Sequence, residues 1–157
     1  MLEIKTKIIF DPPNKTNKHN KQADWKNVVI CQIDDDTDIY YANFLFKRFG
    51  LVLNRSIRRA HITIINDKKS EMDINLYEKA KEAFNGKELT FKFDPAEIRS
   101  NGKHWWIKVY SDEADIIRNV VGLGKSYYPY HLTLGYANER NIENSKNILK
   151  AILFHKL

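Results

Sequence analysis

Two segments decide the reading of this chain: Arg59–Asn66 (RAHITIIN) and Tyr130–Tyr136 (YHLTLGY). Each carries a histidine, an aliphatic residue, a threonine and a second aliphatic residue, His61-Ile62-Thr63-Ile64 in one and His131-Leu132-Thr133-Leu134 in the other. Their β-branched and aliphatic content suits strands. Alternate side chains of a strand leave opposite faces. His61 and Thr63 therefore share one face, Ile62 and Ile64 the other, and the second segment repeats the division. The aliphatic pair of each strand is expected to pack on helices and the polar pair to face a cleft. The other histidines, His19, His104 and His155, lack the pattern.

This residue set suits phosphodiester cleavage without a metal. Such a reaction needs a base to take a proton from the attacking oxygen and an acid to protonate the leaving one. Histidine, with an unperturbed pKa of about 6.5, serves in either role near neutrality. Threonine hydroxyls on the same face can donate to the non-bridging phosphate oxygens as charge builds there. A metal reading fits less well: no acidic or cysteine ligand recurs beside either motif, and threonine is not a usual zinc ligand. His61, Thr63, His131 and Thr133 are the expected catalytic residues; no metal or cofactor is expected.

Outward from the motifs, the chain alternates strand and helix patterns. Asn27–Ile33 (NVVICQI) reads as a buried strand containing Cys31, and Ile39–Phe49 has helical spacing ended by Gly50. The cluster Asp34-Asp35-Asp36, with Asp38, is read as helix capping and dipole complementation, since no second ligand cluster accompanies it. A helix is expected from about Met72 to Phe84, and strands over Glu88–Phe93 and Glu97–Ser100. Asn101-Gly102 is a hairpin turn before a return strand, His104–Tyr110 (HWWIKVY). Asp112–Val121 reads as a helix capped by Ser111 or Asp112, and Ile142–Phe154 as a final amphipathic helix. Gly122-Leu123-Gly124-Lys125 follows a helix and lacks phosphate-loop spacing, so it reads as a helix C-terminal turn. Near the N-terminus only Ile8–Phe10 stands out as apolar. Asn14–Gln22 (NKTNKHNKQ) has the composition of a mobile loop, a candidate basic flap over an anionic substrate. Mixed strands and helices with one clear hairpin point to an α+β sandwich.

The remaining candidates would line the cleft. Arg59 shares the face of His61 if the strand extends that far and is then a phosphate contact; otherwise it is a surface or capping arginine. In the return strand, Trp105, Ile107 and Val109 form the apolar set. That places Trp106 and Lys108 on the cleft side, suited to stacking on a base and to a phosphate, with His104 as a decoy on the same face. Among the tyrosines leading into the second motif, Tyr127 is the expected contact to a base or ribose, the alternative being loop packing.

At 157 residues the chain suits one domain, residues 1–157. Its 43% hydrophobic and 29% charged composition excludes disorder and collagen-like repeats. No apolar run approaches the roughly 18 residues that would span a bilayer, and no signal peptide is read. One cysteine excludes an internal disulfide framework and fits the cytoplasm. The net charge of +6, spread along the chain, favours anionic partners without naming one.

Paired His-x-Thr motifs about 70 residues apart, each in a hydrophobic strand, resemble the 2H phosphoesterase superfamily, which includes RNA 2′,3′-cyclic and 2′,5′-oligoadenylate phosphodiesterases. The resemblance spans roughly Asn27 to Asn138. It implies an α+β, bilobal fold: two antiparallel sheets with pseudo-twofold symmetry around a central groove, helices outside, and a metal-independent site between the lobes. The Asn-Gly-Lys-His-Trp-Trp segment at 101–106 and the Gly135-Tyr136 ending are similar to small bacteriophage members, some of them anti-CBASS enzymes that degrade cyclic oligonucleotide immune signals. In that case a ribose 2′-hydroxyl attacks the adjacent 3′–5′ phosphate, giving a 2′,3′-cyclic phosphate in the host cytoplasm. The partner is then a cyclic oligonucleotide or short RNA, with no membrane involved. The alternatives are an RNA 2′,3′-cyclic or 2′,5′-oligonucleotide phosphodiesterase and a non-catalytic nucleotide-sequestering module. Binding alone needs no opposed acid and base.

Overall fold

A computed structural model describes residues 1–13, 25–56 and 58–155; the loop expected at 14–22 lies outside them. In chain order the elements are β1 (Leu2–Phe10), β2 (Val29–Ile33), α1 (Thr37–Phe49), β3 (His61–Ile65), α2 (Ile74–Phe84), β4 (Glu88–Ser100), β5 (His104–Tyr110), α3 (Asp112–Val120), β6 (Tyr130–Tyr136) and α4 (Ile142–His155). None of these helices is long and apolar enough to cross a membrane.

The strands close into one antiparallel barrel in the order β1-β2-β3-β6-β5-β4. This overturns the expected bilobal arrangement of two sheets around a groove with helices outside. The strand that makes the difference is β1, of which only Ile8–Phe10 stood out as apolar. LEIKTKIIF alternates throughout: Ile4, Thr6, Ile8 and Phe10 are buried while Glu3, Lys5 and Lys7 are exposed. The lysines mark the solvent face of a two-residue period and do not interrupt the strand. Nine residues give β1 enough length for two partners. It pairs with β2 from Thr6↔Ile33 to Phe10↔Val29 and with β4 from Leu2↔Phe93 to Lys7↔Glu88. Thr6, buried among aliphatics, satisfies its hydroxyl by donating to the Leu89 carbonyl at 2.8 Å.

The expected strands Glu88–Phe93 and Glu97–Ser100 are one strand, β4, whose register against β5 shifts between Phe93 and Ile98. Pro95, without an N–H for the ladder, lies in that irregular stretch. At the hairpin, Gly102 takes a φ of 96° and the Asn101 side chain accepts from the amides of Lys103 and His104.

Strand direction sorts the helices. β2 and β6 run the same way and lead to α1 and α4 at one end; β3 and β5 lead to α2 and α3 at the other. α3 packs on both β3 and β4, three places apart in the ring, which a helix can do only across the mouth of the barrel. Ser111 caps α3 by accepting from the Ala114 amide, and Asp73 caps α2. The aspartates before α1 divide their work differently from the expected capping cluster. The N-cap Asp36 makes no side-chain cap bond, Asp35 accepts from Thr37, and Asp38 is buried in an ion pair with Arg55. Arg118, only 4% exposed, donates to the Ile64 carbonyl, to both oxygens of Asp67 and to the Gly124 carbonyl. It ties the end of β3 to the loop that enters β6. Gly122 (φ 85°) is the helix-terminating turn that the sequence suggests.

The chain between α1 and β3 lies tight against β6, with Asn54 bridging Tyr136 in both backbone directions. Gly135 permits this: a Cβ there would lie 2.6 Å from the Asn54 carbonyl oxygen, on a backbone with φ of 153°. Gly135→Ala is expected to cost about 1–3 kcal/mol, read as a melting point lower by several degrees in thermal denaturation. Gly124→Ala, with nothing within 4 Å of its added carbon, is the control that leaves the melting point unchanged.

Candidate functional site

The site is set by one cross-strand pair. Ile62 of β3 lies opposite Leu132 of β6, both fully buried, so their neighbours on the other face are fixed in register. His61 then faces Thr133, and Thr63 faces His131, about a local twofold axis through the Ile62/Leu132 pair. The two histidines are diagonal neighbours across the ladder, at a spacing of roughly 7–8 Å with the Cβ atoms somewhat closer.

Flanking strands extend the pattern. Gln32 of β2 pairs with His61; on β5, Trp106 pairs with Thr133 and Lys108 with His131. One row across the sheet is therefore Gln32, His61, Thr133 and Trp106. The next brings Thr63, His131 and Lys108 together. Trp105, Ile107 and Val109 are fully buried on the opposite face, as the alternation of β5 requires.

Each histidine is held in the same way. The Nδ1 of His61 lies 2.9 Å from the carbonyl oxygen of Arg59. A carbonyl can only accept, so Nδ1 carries the proton and Nε2 is the free lone pair of the neutral ring. His131 bonds to the backbone of Pro129, which has no N–H and must offer its carbonyl. Both rings thus hang from the carbonyl two residues earlier. Each also meets a tryptophan edge-on: Trp25 against His61 with ring centroids 6.3 Å apart, and Trp106 against His131 at 6.1 Å.

Both imidazoles have pKa values lowered from the usual histidine range. For His61 burial is the leading cause, the charges of Arg58 and His131 add to it, and the bond to Arg59 opposes it. For His131, which reaches solvent but is crowded by protein on its flanks, lost hydration again leads and the Pro129 bond opposes. Near neutrality both rings are mainly uncharged.

The other expected residues divide. Trp106 and Lys108 join the motif side chains. Arg59 precedes β3, its side chain turned to Asp34 (3.7 Å), and it serves His61 through its carbonyl. Tyr127 is not brought to the histidines: it is 89% exposed, stacks edge-on with Tyr128 and borders a separate concavity of about 370 Å³ with Tyr110 and Asp112. His104 lies against Tyr136, away from the motifs. Two residues had no place among the expected ones. Trp25 contacts His61, and Arg58 lies over the Trp25 ring, its guanidinium carbon 4.1 Å from the centroid. A tryptophan bordering the polar stretch before β2 was the available signal; that it meets Arg58 depends on tertiary packing. Among the described residues no three His, Cys, Asp or Glu side chains come together as a metal-ligand set.

No protein-family model, curated protein or solved structure matches this chain.

The coupling within the site is measurable without a substrate. In an NMR titration His61 and His131 are expected to titrate below about 6.5. Either Arg58→Gln or His131→Ala, each removing positive charge near His61, should raise its pKa. An unchanged His61 titration in both variants would contradict the arrangement.

Proposed function

We propose that this protein is a phosphodiesterase working through paired histidines, needing no metal, that cleaves 3′–5′ linkages of cyclic oligonucleotide signals. The biological setting that accompanies this reading is a bacteriophage protein counteracting CBASS immunity. The observation that carries the chemistry is the Ile62/Leu132 register, which brings two carbonyl-anchored histidines and two threonines onto one face. The substrate class rests on the sequence resemblance, with support from two tryptophans and the cations Arg58 and Lys108 beside the histidines.

In this mechanism a neutral histidine takes the proton of the ribose 2′-hydroxyl as that oxygen bonds to phosphorus. The bond from phosphorus to the 5′ oxygen breaks, and the second, protonated histidine gives its proton to the departing oxygen. The products are a 5′-hydroxyl and a 2′,3′-cyclic phosphate. Thr63 and Thr133 donate to the non-bridging oxygens, and Lys108 balances the charge that builds on them. One turnover leaves the histidines with exchanged protonation states, and exchange with water resets them.

Chromatographic time courses with EDTA present, on cyclic di- and trinucleotides, 2′,5′-oligoadenylate and RNA ending in a 2′,3′-cyclic phosphate, test this reading. The wild type should linearise a cyclic oligonucleotide at a rate unaffected by EDTA. His61→Ala or His131→Ala should lower kcat by about 10²–10⁴, and Thr63→Val or Thr133→Val by about 10²–10³. Tight binding without product would instead identify a sequestering module. Turnover only of the 2′,5′ or terminal cyclic linkage would move the substrate class.

The pH profile has a defined sign. The base works above its pKa and the acid below its own. With both free-enzyme values lowered, the window with one proton on the pair lies on the acid side of about 6.5. kcat/KM should therefore be bell-shaped with its maximum there.

A further inference from the structure

Beside the histidines, the segment before β3 carries Arg55, Arg58 and Arg59, and these line a cavity of about 340 Å³ whose wall includes Thr133 of the second motif. Among the described residues its charge is only partly balanced. Arg55 meets the buried Asp38 at 3.3 Å, and Arg59 only approaches Asp34, at 3.7 Å between two exposed side chains. Arg58 is half-buried, donates to the Pro13 carbonyl at 3.1 Å and stacks on Trp25. Among the described residues no carboxylate lies within ion-pair distance of it. A partly desolvated guanidinium without a counter-ion is costly unless an anion arrives. The guanidinium fork matches phosphate oxygens in pairs.

We infer that this arginine cavity seats a second phosphate of the same substrate, while the His-x-Thr pair holds the reacting one. The inference rests on the phosphodiesterase reading for the first phosphate, and it adds a requirement. A ligand must carry at least two phosphodiesters to fill both places. Cyclic oligonucleotides do so; a linear dinucleoside monophosphate has one phosphodiester and leaves the cavity empty. Thr133, reaching both the reacting face and the cavity wall, lies between the two seats. Asp38 is the positioning residue: buried and fixed at the start of α1, it holds the Arg55 guanidinium at the cavity rim.

The probes are cyclic diadenylate, with two phosphodiesters, and adenylyl-(3′→5′)-adenosine, a linear dinucleoside monophosphate with one and with the 2′-hydroxyl beside it. Binding of cyclic diadenylate is measured in the inactive His61→Ala/His131→Ala background, and turnover of both compounds in the otherwise wild-type protein. Arg55→Gln should weaken cyclic diadenylate binding tenfold or more and raise its KM in parallel. Turnover of the linear compound should be unchanged. Arg55→Lys keeps the charge and the pairing with Asp38, should fold if Arg55→Gln does not, and should give a smaller loss confined to cyclic diadenylate. Unchanged cyclic diadenylate binding in the folded variants overturns the second seat, as does an equal loss for both compounds. Arginine-dependent binding without turnover of either compound keeps the second seat and overturns the enzymatic reading.

Discussion

The pairing of Ile62 with Leu132 is the constraint on which the rest depends. It lies at one of the two seams where the first three strands meet the last three, and at the narrowest ladder of the barrel; the other seam is β1–β4. A slip of one residue in either strand would exchange its buried aliphatics for histidine and threonine. The cost of stranding polar groups in the core therefore holds the register, and the same register sets the site. Stability and the arrangement of the candidate site share one interaction, because the alternation that buries Ile62, Ile64, Leu132 and Leu134 also presents His61, Thr63, His131 and Thr133.

Around this seam the barrel supplies orientation and the loops supply charge. β5 lays Trp106 and Lys108 beside the second motif through ordinary ladder pairing. On the other side the contacts come from outside the sheet: Trp25 before β2, and Arg55, Arg58 and Arg59 before β3. The histidines are alike in anchoring, but their surroundings differ. One lies next to an arginine-rich segment and the other next to a ladder lysine.

What was legible in the sequence follows from the range of the interactions involved. The His-x-Thr strands, the Asn101-Gly102 hairpin, the Ser111 cap and the two faces of β5 are local patterns, and they stand where the pattern put them. β1 also had a local pattern, but the lysines of LEIKTKIIF obscured its two-residue alternation. Without that strand nothing in the sequence reading linked β2 to β4, and the expectation of two sheets around a groove came from the family resemblance. Arg58 on Trp25, Asp38 under Arg55, and Arg59 acting through its carbonyl depend on how loops fold back, for which local sequence holds no periodic signal. Tyr127 shows the converse: an aromatic next to a motif in sequence that points elsewhere in space.

The double pairing of β1 also shapes the order of assembly. Its second half can zip to β2 early, across a short sequence separation, but its first half waits for β4, about 80 residues later along the chain, as the Thr6-to-Leu89 bond records. During synthesis the growing sheet has one edge open at β1 and another at β3, which has no partner beyond β2 until β6 emerges. Unpaired edges invite association with other chains, and closures across long separations are slow. The alternating charges Glu3, Lys5 and Lys7 on β1 are the kind of residues that discourage such contacts while the ring is open. In this barrel the nascent chain's most vulnerable interval ends when the second histidine strand docks, so solubility during folding and formation of the site are completed by the same event.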